Sequence, residues 1–367
     1  MLSTWAAICA TVVHMRGPYS RFCMAWLSLA GVCTGCRSSG ASETPDPAPD
    51  DPFAGQAYAE APLSPEAKVF LIAGGDDVAN FAAEVLEQRA LWKEAGLRDE
   101  EIVCYYAKPT LDALREDGEQ LQAVAPGLSD CYPADPATVH AHLREVAERK
   151  PEFVYVFVTS HGLPPVLRWK AGVEDANELP QHLELQRGEI GKFDRHAIGL
   201  EAGDGPGLGD VEEMLAAHRA GQSVESLMFS PDTLAAALEG LPKTTKKFVV
   251  LQACFSGGFI GRPDDDGPSP LTKIPQMTMM TATSPGRPSF GCSAGAHRTY
   301  YGGTFNRVLA EELEREARGP VGLPWPAMHE RVVFVGETMA AIDGERPSQP
   351  GFFTNVPGMV ETAKAAR

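Results

Sequence analysis

Positive charge is what this sequence has least of: 32 Lys and Arg stand against 49 Asp and Glu in 367 residues, a formal charge of −17. Nucleic-acid binders draw affinity from basic groups that displace counterions from phosphates, so that class is excluded. Cysteine is sparse as well. Eight residues are too few to build a disulfide scaffold at this length. No apolar run reaches the roughly 18 residues that a membrane-spanning helix needs. What is present is ordinary for a folded protein, 44% hydrophobic and 22% charged, which rules out wholesale disorder and leaves one large or two modest domains.

The front of the chain differs from the rest. Arg16 and Arg21 precede a short apolar run at 24–32 (MAWLSLAGV), the order of a secretory signal, and Met15 or Met24 is a candidate start. Gly35-Cys36 resembles a bacterial lipobox, with Cys33 where leucine is usual, and this makes Cys36 the expected lipidation site. The expected division is a leader at 1–36, a disordered tether at 37–65 and a folded domain at 66–367. The tether reading rests on RSSGASETPDPAPDDPFAGQ, which offers little bulky apolar surface to bury. The chain is expected to be exported to the periplasmic side of a bacterial membrane and anchored there by lipid. A soluble periplasmic or secreted form is the alternative. Export leaves Cys104 and Cys131 free to oxidise, and spacing alone does not decide whether they pair.

From residue 68 short apolar runs alternate with helical patterns. Strands are expected at 68–73, 101–106, 153–159, 248–252 and 277–282, each nearly continuous in apolar character, as buried parallel strands are. Helices are expected at 78–95, stopped by Gly96; at 136–149, capped by Asp135 with Pro136 in the first turn; from Ser230-Pro231 through Glu239; and at 303–318. The alternation predicts an α/β fold with a mostly parallel sheet. Residues 168–228 are polar and glycine-punctuated, without a convincing buried strand, and read as a surface insertion near a strand end.

Two strand candidates run directly into reactive residues, Thr159-Ser160-His161-Gly162 and Gln252-Ala253-Cys254-Phe255-Ser256-Gly257-Gly258. Ligands in open α/β sheets bind beyond the carboxyl ends of strands. Adjacent parallel strands would set His161 beside Cys254, giving a nucleophile, a proton shuttle and a thiol pKa drawn toward neutrality. The N–H groups of Gly162 and Cys254 would face a developing oxyanion, and Gly257-Gly258 would make the turn that presents the cysteine. Taken singly, each residue reads as an ordinary strand-end histidine or a buried structural thiol. Together they share one local grammar.

That pair resembles the caspase/legumain clan of cysteine peptidases, and within it the legumain-like C13 family. Residues 68–106 are similar to the family's first strand, helix and second strand. Residues 279–305 are similar to its pocket strand and loop. The resemblance covers roughly 66–318 apart from the insertion, and implies a caspase-like three-layer sandwich with a mostly parallel central sheet. It also implies a cysteine endopeptidase, or a transferase of peptide acyl groups, acting on peptide or protein substrates with no cofactor and no metal. His161 becomes the general base and acid, Cys254 the nucleophile, and Gly162 with Cys254 the oxyanion hole. The substrate pocket departs from the family. Gln252 stands where the family has glutamate and Gly303 where it has aspartate. Counting back from Gly96 puts Asn80 where an arginine belongs and Val78 on a supporting asparagine; a shift of two puts Asn80 on that asparagine instead. Ser289 matches a pocket serine. The pocket is therefore expected to be neutral and polar, with Arg168, Arg187 and Arg195 as the donors if the insertion brings an arginine. The rival reading is a catalytically silent lipoprotein of the same fold that serves as a binding module.

Other groups carry less. Ser256 lacks a nucleophile elbow, and the remaining histidines (His140, His142, His182, His196, His218) show no zinc spacing. Asp264-Asp265-Asp266 reads as a solvated acidic turn rather than a calcium site. Cys292 is open between a second thiol, half of a disulfide, and packing.

Overall fold

Among the described residues nine strands build the sheet system: β1 Val69–Ala73, β2 Ile102–Tyr106, β3 Tyr132–Pro133, β4 Phe153–Thr159, β5 Gly162–Leu163, β6 Ala197–Ile198, β7 Lys246–Gln252, β8 Met277–Thr281 and β9 Gly351–Thr354. The structure, a computed structural model, describes residues 51–202, 207, 209–261, 268–293, 295–315, 319–344 and 346–359, without the side chains of 336–343. The expected leader, Cys36 and Asp264-Asp265-Asp266 lie outside the described residues.

Seven strands form one sheet in the order β3-β2-β1-β4-β7-β8-β9, and β5 pairs with β6 apart from it. Every neighbour in the large sheet is parallel except β8–β9. The central strands are buried along both faces, which is why they read as unbroken apolar runs.

The helices are α1 Asn80–Glu94, α2 Leu111–Val124, α3 Pro136–Arg149, α4 Val166–Ala171, α5 Glu189–Phe193, α6 Val211–Arg219, α7 Val224–Leu227, α8 Pro231–Glu239, α9 Tyr300–Leu313 and α10 Trp325–Asp343. Successive strand residues point to opposite faces. Leu71, Tyr155, Phe157 and Val250 meet α1, α9 and α10 through Phe81, Trp92, Phe305 and Trp325. Phe70, Val154, Val156 and Val249 meet α3 and α8 through Val139, Leu143, Leu234 and Leu238. The result is the expected three-layer α/β sandwich.

Local chemistry sets the helix ends. Asp135 accepts from Thr138 N–H at 2.9 Å, and Ser230 with Thr233 forms a reciprocal cap; such caps stabilise by about 1 kcal/mol each. Gly96, at φ +94, closes α1, a conformation costly for any other residue. α9 begins at Tyr300 rather than 303 because Thr299 Oγ1 accepts from Gly302 N–H at 2.9 Å. α2 and α10 were not expected.

Two expectations are corrected. The tether does not run to residue 65: Phe53 is buried against Tyr106, Tyr58 OH accepts from Lys108 N–H at 3.0 Å, and Ala59 N–H donates to Cys131 O. Three bulky side chains, Phe53, Tyr58 and Leu63, supply the apolar surface that the Pro-rich text before them lacks. Nor is 168–228 merely a surface excursion. Its described residues fold with the whole of α4 into a 3-10 turn at Ala176–Gln181 and α5–α7 around a core of their own, in which Leu167, Leu179, Phe193, Val211, Met214 and Met228 are buried. Cys104 and Cys131 form a disulfide, with Cα atoms 4.7 Å apart.

Candidate functional site

β4 and β7 are direct neighbours with Thr159 paired to Gln252. His161 and Cys254 each follow two residues later, so the sheet brings both to one edge. The sharp turn after Cys254 is made by Phe255, at φ +57, and not by the glycines; Phe255 N–H donates to Arg287 O at 2.8 Å, which holds that strained residue in place. Gly257 and Gly258 serve close approach instead. A Cβ on Gly258 would lie 2.1 Å from the His196 ring, and one on Gly257 2.5 Å from Thr283 O. Likewise Gly162 lies against Cys254, whose carbonyl oxygen would be 2.1 Å from an added Cβ.

The backbone donors follow from pairing. Gly199 N–H donates to His161 O and Ile198 N–H to Phe229 O, which makes Gly162–Ile198 a non-hydrogen-bonded antiparallel pair. The Gly162 N–H therefore points away from β6. The Cys254 N–H donates to no backbone carbonyl among the described residues.

The imidazole has a partner that the sequence reading missed. His161 Nε2 lies 2.7 and 2.9 Å from the two carboxylate oxygens of Asp77, in the loop after β1. Phe81 meets the ring edge-on at 5.2 Å. Burial presses this imidazole toward its neutral form, but the Asp77 hydrogen bond and the charges of Asp77, Glu201 and Asp76 outweigh it. Its pKa lies above the ordinary histidine value. Beyond Asp77, burial and the charge of Asp76 push Glu201 up to about 7.

The thiol departs from expectation. Cys254 Sγ accepts from Ser289 N–H at 3.2 Å and faces Ser289 O at 3.8 Å; no hydrogen bond joins it to His161 among the described residues. Burial pushes its pKa up, and the Ser289 N–H offsets only part of that. The expected drift toward neutrality is absent because the histidine is engaged by Asp77 and contributes no compensating contact.

Gln252, Ser289 and Asn80 gather around the loop between β8 and α9. Ser289 Oγ donates to Gln252 Oε1 at 3.4 Å, Gln252 Nε2 to Cys292 Sγ at 3.6 Å, and Asn80 Nδ2 to Gly291 O at 2.6 Å. Asn80 Oδ1 is buried with no hydrogen-bond partner among the described residues. Behind them lies a second missed residue. Glu84 is fully buried and accepts from Thr159 Oγ1, Thr299 N–H and Thr299 Oγ1 at 2.6 to 2.7 Å. Burial pushes its carboxyl up to about 7 against those three donors. A Cβ on Gly302 would meet this carboxylate at 2.2 Å. Gly303 faces Arg298, whose guanidinium pairs with Glu87 at 3.0 Å.

Two of the three arginines expected from the insertion are already paired. Arg168 is paired with buried Asp194 at 2.8 Å and Arg195 with Asp232 at 2.9 Å, while Arg187 is exposed. Among the described residues the one cluster with metal-ligand spacing is Cys104, Asp130 and Cys131, and its two sulfurs are consumed by the disulfide.

No family model matches the chain, and no curated protein does. Solved structures give looser likenesses. Caspase-1 from Spodoptera frugiperda is 10% identical, over 82% of this chain and 93% of that one, at a TM-score of 0.41. A protein from Geobacter sulfurreducens is 12% identical, over 78% and 92%, at 0.42. Neither likeness is tight enough to assign a family.

Proposed function

We propose that the chain is a cysteine endopeptidase, or a transferase of peptide acyl groups, of the caspase-like C13 type. One observation carries the reading: the paired Thr159 and Gln252 on adjacent parallel strands set His161 and Cys254 at the same sheet edge. Asp77 occupies Nε2 and so leaves Nδ1 as the nitrogen that takes the thiol proton. The thiolate then attacks the substrate carbonyl, whose oxygen gains charge opposite the Gly162 and Cys254 N–H groups. His161 returns the proton to the leaving amine, and water or a second amine releases the acyl group. Because the resting thiol is held by Ser289, proton transfer belongs to the moment when a carbonyl displaces that contact.

Cys36 lipidation belongs to the same proposal, placing the domain on the periplasmic face of a membrane with a peptide or protein as its substrate. In a Cys36→Ser variant the protein should leave the membrane fraction; continued membrane association would remove the anchor from the proposal.

The Ser289 contacts and the raised thiol pKa favour the second reading, a silent binding module. Incubating the full chain and Cys254→Ala with a diverse peptide library, and reading new termini by mass spectrometry, separates the two. The peptidase reading requires cleavage by the wild type alone. Peptides retained uncut by both proteins would establish the binding module.

A further inference from the structure

We propose that Cys292 is a resolving thiol for Cys254, which makes the pair a site of reversible oxidation by a hydroperoxide. The inference rests on Cys254 being the reactive thiol of the proposed function. Cys254 and Cys292 are the free cysteines among the described residues, since Cys104 and Cys131 are joined to each other. The two sulfurs end one short chain of hydrogen bonds. Ser289 N–H donates to Cys254 Sγ at 3.2 Å, Ser289 Oγ to Gln252 Oε1 at 3.4 Å, and Gln252 Nε2 to Cys292 Sγ at 3.6 Å. Nothing in the proposed peptide chemistry uses Cys292.

The surroundings divide the labour. Both sulfurs are half-buried, and Cys254, two residues past the end of β7, is held by the sheet. Cys292 belongs to the irregular loop between β8 and α9, packs against the core, and follows Gly291 at φ +84. A disulfide needs Cβ atoms about 3.8 Å apart, and a loop of this kind can supply the adjustment that a strand end cannot. The Gln252 amide between them must swing aside.

The chemistry balances. The Cys254 sulfur gives up its proton as it attacks one peroxide oxygen, the O–O bond breaks, and sulfur loses two electrons to become a sulfenic acid. The reduced oxygen takes a proton and leaves as water or an alcohol. The Cys292 sulfur then attacks the Cys254 sulfur. The S–S bond forms as the S–O bond breaks, and the Cys292 proton departs with the oxygen as water. A dithiol restores both thiols. Cross-linked, Cys254 is neither a nucleophile nor open to further oxidation.

The test treats the full chain with a small excess of hydrogen peroxide, blocks remaining thiols with iodoacetamide, and maps peptides without reduction. The expected product joins the Cys254 and Cys292 peptides, disappears with dithiothreitol, and precedes any sulfinic acid at Cys254. In Cys292→Ser and in Cys292→Ala, Cys254 should proceed to the sulfinic acid several-fold faster than in the wild type. Sulfinic acid forming at Cys254 equally fast in all three proteins, with no cross-linked peptide, overturns the proposal. The readout is a mass and not turnover. A chain that cross-links but cleaves nothing loses the peptidase reading and keeps the pair; one that cleaves but never cross-links does the reverse.

Discussion

Asp77 Oδ1 lies 2.7 Å from His161 Nε2. The two residues come from loops after neighbouring strands, β1 and β4, whose ends are in register at Ala73 and Thr159. The contact fixes which ring nitrogen carries the proton, and it sets the charge around the ring.

Asp77→Asn should therefore lower the His161 pKa, because a hydrogen bond to a charged acceptor and its Coulomb attraction both disappear. A base works only when neutral. The rising limb of turnover against pH should move to lower pH in the variant, while its plateau falls at least about tenfold from lost orientation, roughly 1.4 kcal/mol. NMR titration of the His161 ring protons reads the first effect and peptide kinetics the second. An unmoved titration would deny Asp77 this role.

Glu84 should make stability fall as pH rises. Its carboxyl ionises near 4.5 when unfolded and at about 7 in the folded chain. Below 4.5 both states hold the proton and the contribution is complete. Between 4.5 and 7 the unfolded state releases its proton first, so folding loses roughly 3 kcal/mol across that window. Urea denaturation at several pH values should show Glu84→Gln losing less stability over this range than the wild type.

Gly162→Ala should disturb the site through packing. The added Cβ meets the Cys254 carbonyl at 2.1 Å, and overpacking of this sort costs about 1–3 kcal/mol. Thermal unfolding should register the loss together with a changed rate of Cys254 alkylation. Gly118→Ala, with nothing within 4 Å of its Cβ, is the control, expected to be neutral or slightly stabilising.

A P1 aspartate should be a poor substrate residue. The Gln252, Ser289 and Asn80 cluster carries no positive charge, and Arg168 and Arg195 are spent on Asp194 and Asp232. Peptides differing only at P1 should favour a small or neutral polar side chain over aspartate by about tenfold or more. The opposite order would direct attention to Arg298 beside Gly303.

The parts of the fold that were legible are those whose signals are local. β4 was placed to the residue because burial on both faces leaves an unbroken apolar run, and α3 and α8 because Asp135 and Ser230 announce them. α10 was missed beyond the Gly319-Pro320 break. The insertion was misread because most of its elements are a turn or two long, and its nine-residue α6 lacks a cap like the one Ser230 gives α8. At the site, His161 and Cys254 were legible from strand-end grammar, whereas Asp77 required knowing that β1 lies beside β4. Glu84 had a signal that went unused: it stands on the same α1 stripe as Phe81, Gln88 and Trp92, where a charged side chain must find partners.

The sheet closes on both sides with very little to offer. β3 presents two residues and β9 four, the latter running against its neighbours. A stranger's strand docking on either margin gains only a handful of main-chain bonds, far fewer than β4 or β7 would give if laid bare. The long parallel strands that precede His161 and Cys254 are thus shielded from templating by other chains.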